Sequence, residues 1–207
     1  MELQKLFSKR ILPAITFDRV EDAEPTARAL LKAGLDVMEI PFRTGVAAEC
    51  IRELVKKVPE MHVGSGTIIT KEQIHIAKDS GAEFGLSPGF NPKVVEEANK
   101  IDFPFIPGVM TPSELELAYE LGCNLLKLFP ISQIGGVQFI KAILGPYKHL
   151  NLRFIPMGGI NQENMKGYLD FNEVAAVGGS WMATPKQIME KDFKTIQANV
   201  AKSLSLV

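Results

Sequence analysis

Short apolar runs alternate along this chain with longer stretches in which apolar residues recur at helical spacing. Glu2 to Ser8 predicts a short N-terminal helix. Ile11 to Thr16 then reads as a strand, and Val20 to Ala33 as an amphipathic helix that Gly34 closes as a left-handed cap would. The same unit recurs to the end of the chain. Further strands are predicted at Val37 to Ile40, Met61 to Ser65, Glu83 to Leu86 and Phe103 to Ile106. Three more follow at Asn124 to Leu128, Leu152 to Ile155 and Val174 to Val177. Helix starts stand between them: Thr70, Asn91 with Pro92, Thr111 with Pro112 and Glu114, Asn161, and Thr184 with Pro185. The last of these opens a helix reaching toward Ser203, and helices are also expected near Val46 to Lys57 and Val137 to Leu144. Gly81 and Gly122 end two of the others.

Eight strand–helix units in 207 residues argue for parallel pairing and right-handed crossovers. The expected class is α/β, with residues 1–207 forming a single-domain (β/α)8 TIM barrel preceded by a short helix. The alternative is an open doubly wound sheet, should two of the short strands be loops. In a barrel the chemistry comes from the C-terminal ends of the strands and the loops after them, so polar residues at those ends are the ones to weigh.

Composition narrows the function classes. The chain is 46% hydrophobic and 23% charged, as a soluble globular protein is, and its formal net charge of -1 gives no reason to expect nucleic acid or a membrane surface. Met1 to Arg10 has no apolar signal core, and no apolar run is long enough to span a bilayer. Cys50 and Cys123 lie far apart and read as buried free thiols, which fits a reducing cytoplasm. None of His62, His75 and His149 falls at the C-terminal end of a strand. No His/Asp/Glu set is spaced for a divalent ion, so neither a metal nor a cofactor is expected, and metal-dependent aldol and epimerase chemistry is disfavoured.

The strand ends carry several candidates. In Asn124-Leu-Leu-Lys-Leu-Phe-Pro130, Lys127 shares a strand face with Leu125 and Phe129. A lone lysine there more often snorkels to water. If it is desolvated, the neutral amine is favoured, and a neutral amine can attack a carbonyl to give a Schiff base. Glu39 lies inside an apolar strand, where it either pairs with a cation for structure or moves protons. Arg43 stands four residues on, at the rim, where its planar fork suits a carboxylate, although a single arginine is more often a solvated surface residue. Gly64 to Thr67 offers close backbone approach and a hydroxyl, or merely a tight turn. Ser87-Pro88-Gly89 and Pro107-Gly108 are turn signals that shape the rim. Met157-Gly158-Gly159 and Gly178-Gly179-Ser180 occupy the two adjacent loops where this fold commonly binds phosphate.

Together these segments resemble the KDPG/4-hydroxy-2-oxoglutarate aldolase family, where KDPG is 2-keto-3-deoxy-6-phosphogluconate. The matching pieces run in family order: Glu39 to Thr44, Val63 to Thr67, Ser87 to Gly89, Ile106 to Thr111, Lys127 to Pro130, Gly145-Pro146, Gly158-Gly159 and Gly178 to Trp181. The resemblance implies a metal-independent class I aldolase that cleaves KDPG to pyruvate and glyceraldehyde 3-phosphate. It implies Lys127 as the Schiff-base lysine and Glu39 as the general acid/base. It implies Arg43 and Thr67 at the pyruvyl carboxylate, Pro88 and Phe129 lining the pocket, and Gly158, Gly159, Gly179 and Ser180 around the phosphate. It also implies a homotrimer in the cytoplasm, acting on a small-molecule 2-keto acid.

Two positions depart from the family pattern. Met157 stands where relatives usually carry threonine before the glycine pair, which removes a hydroxyl from the site. Thr16-Phe17 follows the first strand where relatives often carry a basic residue, leaving Arg19 as a substitute. Both bear on substrate preference, so 4-hydroxy-2-oxoglutarate or another 2-keto acid is the alternative substrate. A barrel that binds a sugar phosphate without turnover and a metal-free isomerase are rival functions. Lys127 favours the aldolase, because an isomerase has no need of an imine.

Overall fold

Every strand pairing in the computed structural model, which describes residues 3–207, is parallel. Glu2, the first residue of the predicted N-terminal helix, lies outside the described residues, and α1 spans Leu3–Leu6. The first half of the barrel runs β1 (Ile11–Pro13), α2 (Ala23–Lys32), β2 (Val37–Pro41), α3 (Ala47–Lys57), β3 (His62–Gly66), α4 (Lys71–Asp79), β4 (Phe84–Leu86) and α5 (Pro92–Lys100). The second half runs β5 (Phe105–Ile106), β6 (Gly108–Val109), α6 (Pro112–Glu120), β7 (Leu125–Leu128), α7 (Gly136–Tyr147), β8 (Arg153–Pro156), α8 (Met165–Leu169), β9 (Val177–Gly179), α9 (Pro185–Met189) and α10 (Phe193–Leu204).

The ladder closes on itself. β2, β3, β4 and β5 pair in sequence order, as do β6, β7 and β8, while β9 pairs with β1. Single bridges join Ala14 to Glu39 and Met157 to Gly178, so β1 meets β2 and β8 meets β9. β5 and β6 form one barrel strand broken at Pro107, whose missing N–H cannot enter a ladder; its carbonyl still accepts from Lys127 N–H at 2.9 Å. The (β/α)8 barrel is therefore the architecture present, not the open sheet. All five residues of β2 and all four of β7 are buried, since helices cover one side of each strand and the barrel interior the other.

Helix boundaries follow local chemistry closely. Thr70, Thr111 and Thr184 each close a full capping box, with Gln73, Glu114 and Gln187 reaching back. Asn91 caps α5 ahead of Pro92. Gly34, Gly81 and Gly122 all adopt left-handed φ behind their helices.

Four boundaries differ from the sequence reading. Val20–Asp22 is a 3-10 turn, and the α-helix starts at Ala23. Asn161 caps only a turn, its side chain accepting from Glu163 and Asn164 N–H, and α8 begins at Met165. The single long C-terminal helix is two, α9 and α10, parted at Lys191, whose φ of 55° ends the first; Asp192 caps the second through Thr195 N–H. The eighth strand was expected at Val174 to Val177, but the ladder with β1 runs from Val177 to Gly179. Residues 174–177 are all buried, and Val174 makes a single bridge to Phe154. The apolar run thus marked burial, while the glycines beyond it make the pairing.

Candidate active site

The polar groups inside this apolar barrel sit at its C-terminal mouth. Glu39 is the third residue of β2 and Lys127 the third of β7, and both are buried, at 1% and 3% exposure. Their side chains meet across the mouth, Lys127 Nζ lying 3.8 Å from Glu39 Oε1. Glu39 Oε2 is buried without a hydrogen-bond partner, which leaves an unused acceptor at the site. Room for that carboxylate is made by Gly66, where a Cβ would stand 3.0 Å from it. The glycine of Val-Gly-Ser-Gly-Thr is thus explained by the approach of Glu39. Lys127 Nζ also lies 5.4 Å from the centroid of the Phe129 ring, a cation–π distance when the amine is charged.

These groups line a cavity of about 300 Å³. Eight of the ten residues singled out from the sequence contribute to it: Glu39, Arg43, Lys127, Phe129, Gly158, Gly159, Gly179 and Ser180. Thr67 is not in the lining, but its hydroxyl accepts from Arg43 Nε at 3.1 Å and so fixes the guanidinium at the rim. Pro88 is also outside the lining; its carbonyl lies against Gly108, where a Cβ would come within 2.4 Å. Pro88 therefore packs the rim rather than the cavity wall.

The far wall is the pair of glycine loops. Gly158 and Gly159 hold φ of 92° and 79°, a conformation that L side chains rarely adopt. Asn164 Nδ2 donates to Gly159 O at 2.9 Å, and Ser132 N–H donates to Gly158 O at 3.1 Å, fixing the loop after β8. Gly159 and Ser180 are exposed at the mouth and offer backbone and hydroxyl donors to an anion.

The sequence reading missed Ala14, Ile160, Ala183 and Pro185 in the lining. All are apolar; Ala14, Ile160 and Ala183 lie in the segments that follow β1, β8 and β9, and Pro185 opens α9. Met157 does line the cavity, 3% exposed, with its methyl end where a Cβ on Gly178 would be. Thr16 lines it too. Arg19 does not: its guanidinium binds both oxygens of Asp22, at 2.9 and 2.8 Å, in a neighbouring depression. It is not a substitute for a basic residue in the site. Among the described residues, no group of three or more His, Cys, Asp or Glu is placed to hold a metal ion.

The arrangement supplies a dry amine, a carboxylate within reach of it, a cation at the rim and an anion-compatible wall. Comparison with known proteins agrees with that chemistry. A family model described as KDPG and KHG aldolase matches residues 3–199. The chain is similar to the 2-dehydro-3-deoxy-phosphogluconate aldolase of Haemophilus influenzae, with 40% identity over 99% of this chain and 96% of that one. It superposes on a Legionella pneumophila KDPG aldolase with pyruvate captured as a covalent carbinolamine, at TM-score 0.93 and 35% identity over 97% of both chains. It also superposes on the Zymomonas mobilis enzyme with 3-phosphoglycerate, at TM-score 0.93 and 29% identity over 100% of this chain and 96% of that one.

Proposed function

We propose, for a chain that belongs to the KDPG and KHG aldolase family, that Lys127 and Glu39 carry its chemistry. The reaction is the metal-independent class I aldol cleavage of KDPG to pyruvate and glyceraldehyde 3-phosphate. The observation that carries the residue assignment is the buried 3.8 Å approach of Lys127 Nζ to Glu39, whose second oxygen is unpartnered.

The Lys127 amine attacks C2 of the keto acid to give a carbinolamine. Glu39 gives the departing hydroxyl its proton, water leaves, and an iminium remains. The C3–C4 bond then breaks with its electron pair flowing into the iminium, while the C4 hydroxyl gives its proton to Glu39 and becomes the aldehyde. The enamine left behind takes a proton at C3, and hydrolysis of the resulting imine frees pyruvate and Lys127. Arg43, held by Thr67, faces the carboxylate of the keto acid as a fixed fork. Gly158, Gly159, Gly179 and Ser180 cradle the phosphate, and Phe129 flanks the reacting amine. Pro88 acts from the rim.

Residues 1–207 serve as one catalytic domain. The assembly is a homotrimer, supported by apolar side chains exposed on the α4–α6 side, among them Ile69, Ile76, Met110 and Leu117. The location is the cytoplasm, supported by two buried cysteines that remain unpaired; no helix among the described residues is long and apolar enough to cross a membrane.

Borohydride reduction in the presence of pyruvate, followed by peptide mass analysis, tests the assignment. A reduced pyruvyl adduct on Lys127 is expected. An adduct on another lysine, or none on folded protein, overturns it.

A further inference from the structure

Behind the two glycine loops, away from the cavity mouth, lies Ser203 on α10, fully buried. Its hydroxyl accepts from Trp181 Nε1 at 3.0 Å and from Gln162 Nε2 at 3.3 Å, and it donates to Asn199 O at 2.8 Å. A serine hydroxyl has one donor and two acceptor sites, so this one is saturated. Its two donors come from different loops. Gln162 follows Gly158-Gly159-Ile160-Asn161 after β8, and Trp181 follows Gly179-Ser180 after β9. Asn199 strengthens the same junction: its carbonyl accepts from Gln162 Nε2 at 2.9 Å, and its Nδ2 donates to the carbonyls of Trp181 and Met182, each at 3.4 Å. The indole itself lies against the Gly179 backbone, where a Cβ would come within 2.5 Å of the ring.

We propose that Ser203 is a positioning residue: its hydroxyl sets the spacing of the two loops that cradle the phosphate, and so controls affinity for the phosphorylated aldehyde without touching it. This rests on the cradle assigned above. α10 carries no residue of the cavity lining, yet it is the element to which both loops are bonded. Without the hydroxyl, Trp181 Nε1 loses its acceptor and Gln162 Nε2 keeps only the Asn199 carbonyl, so the spacing of the two loops rests on Asn199 alone and can shift. Donors that must converge on one anion tolerate only small displacements before binding weakens. Lys127 and Glu39 stand on β7 and β2, outside this junction, so imine chemistry is left intact.

The test uses Ser203→Ala and Trp181→Phe, the second keeping a ring against Gly179 while deleting the N–H donor. Each is compared with the parent enzyme for addition of pyruvate to glyceraldehyde 3-phosphate and to unphosphorylated glyceraldehyde, and for exchange of the pyruvate methyl protons with solvent. Both variants are expected to raise KM for the phosphorylated aldehyde about tenfold, the scale of one lost hydrogen bond. KM for glyceraldehyde and the pyruvate exchange rate should stay within about twofold. The proposal is overturned if the two aldehydes are affected alike, or if only the melting temperature falls. A parent enzyme that does not prefer the phosphorylated aldehyde would defeat the cradle itself, and this proposal with it, before any variant is made.

Discussion

Thr67 accepts a hydrogen bond from Arg43 Nε at 3.1 Å while its own backbone is held at φ 56°. A β-branched residue in left-handed conformation is strained, by about 1–2 kcal/mol. The strained residue is the one that holds the guanidinium, so strain and the positioning of Arg43 belong to the same side chain. Thr67→Gly removes both. Relief of the backbone offsets the greater chain entropy of glycine, so stability by urea unfolding should stay within about 1 kcal/mol of the parent. KM for pyruvate should rise several-fold, because Arg43 loses its anchor. A large loss of stability with unchanged KM would refute the assignment.

Removing Lys127 should end turnover, and Lys127→Ala should give no pyruvate adduct. Glu39→Gln keeps the shape of the site but cannot move protons, so turnover should fall by about 10²–10⁴-fold while slow trapping on Lys127 persists. The pair also predicts an asymmetry in stability. Lys127→Met alone leaves the Glu39 carboxylate buried and unpaired and should destabilise by about 3–5 kcal/mol; adding Glu39→Leu should recover most of that. Denaturant titration of the two singles and the double decides it.

Met157 is nearly buried in the cavity wall, and its thioether offers the substrate no hydroxyl. Met157→Thr should supply a polar partner and shift kcat/KM toward KDPG over 4-hydroxy-2-oxoglutarate by about tenfold, the scale of one hydrogen bond to substrate. Efficiencies measured on both substrates for parent and variant provide the check; an unchanged ratio removes Met157 from specificity.

Burial pushes the Cys50 and Cys123 thiols up to about 11. At pH 8 only about one thiol in a thousand is then thiolate, so iodoacetamide should label native protein very slowly and urea-unfolded protein quickly. Because the folded value lies above the unfolded one, near 8.5, the stability linked to these groups is complete below about pH 8 and is lost as pH rises through about 11. Denaturation midpoints measured from pH 7 to 11 should fall only in the upper part of that range.

The helix starts at Thr70, Thr111 and Thr184 were legible, and at Thr111 the box with Glu114 as well, because a helix terminus satisfies its first N–H groups from residues close in sequence. The break at Lys191 was not legible, since the apolar spacing runs on across it. Nor was the shift of the last strand to Val177–Gly179, because an apolar run reports burial and not its hydrogen-bond partner. Lys127, Glu39 and the glycine loops could be named from order and motif. That Thr67 acts through Arg43, that Pro88 packs the rim and that Arg19 is committed to Asp22 could not, because each depends on where side chains of separate segments end.

By itself, then, the sequence determined the repeating strand–helix unit, the parallel α/β class and the identity of the polar residues at strand ends. These follow from periodicity and local capping, which act over a few residues. The tertiary structure decided which of those residues meet. The 3.8 Å approach of Lys127 to Glu39, the space that Gly66 leaves for the carboxylate and the junction of two loops at Ser203 all arise only when barrel closure brings distant strands and α10 together. Such distances are properties of packing, and no local pattern encodes them.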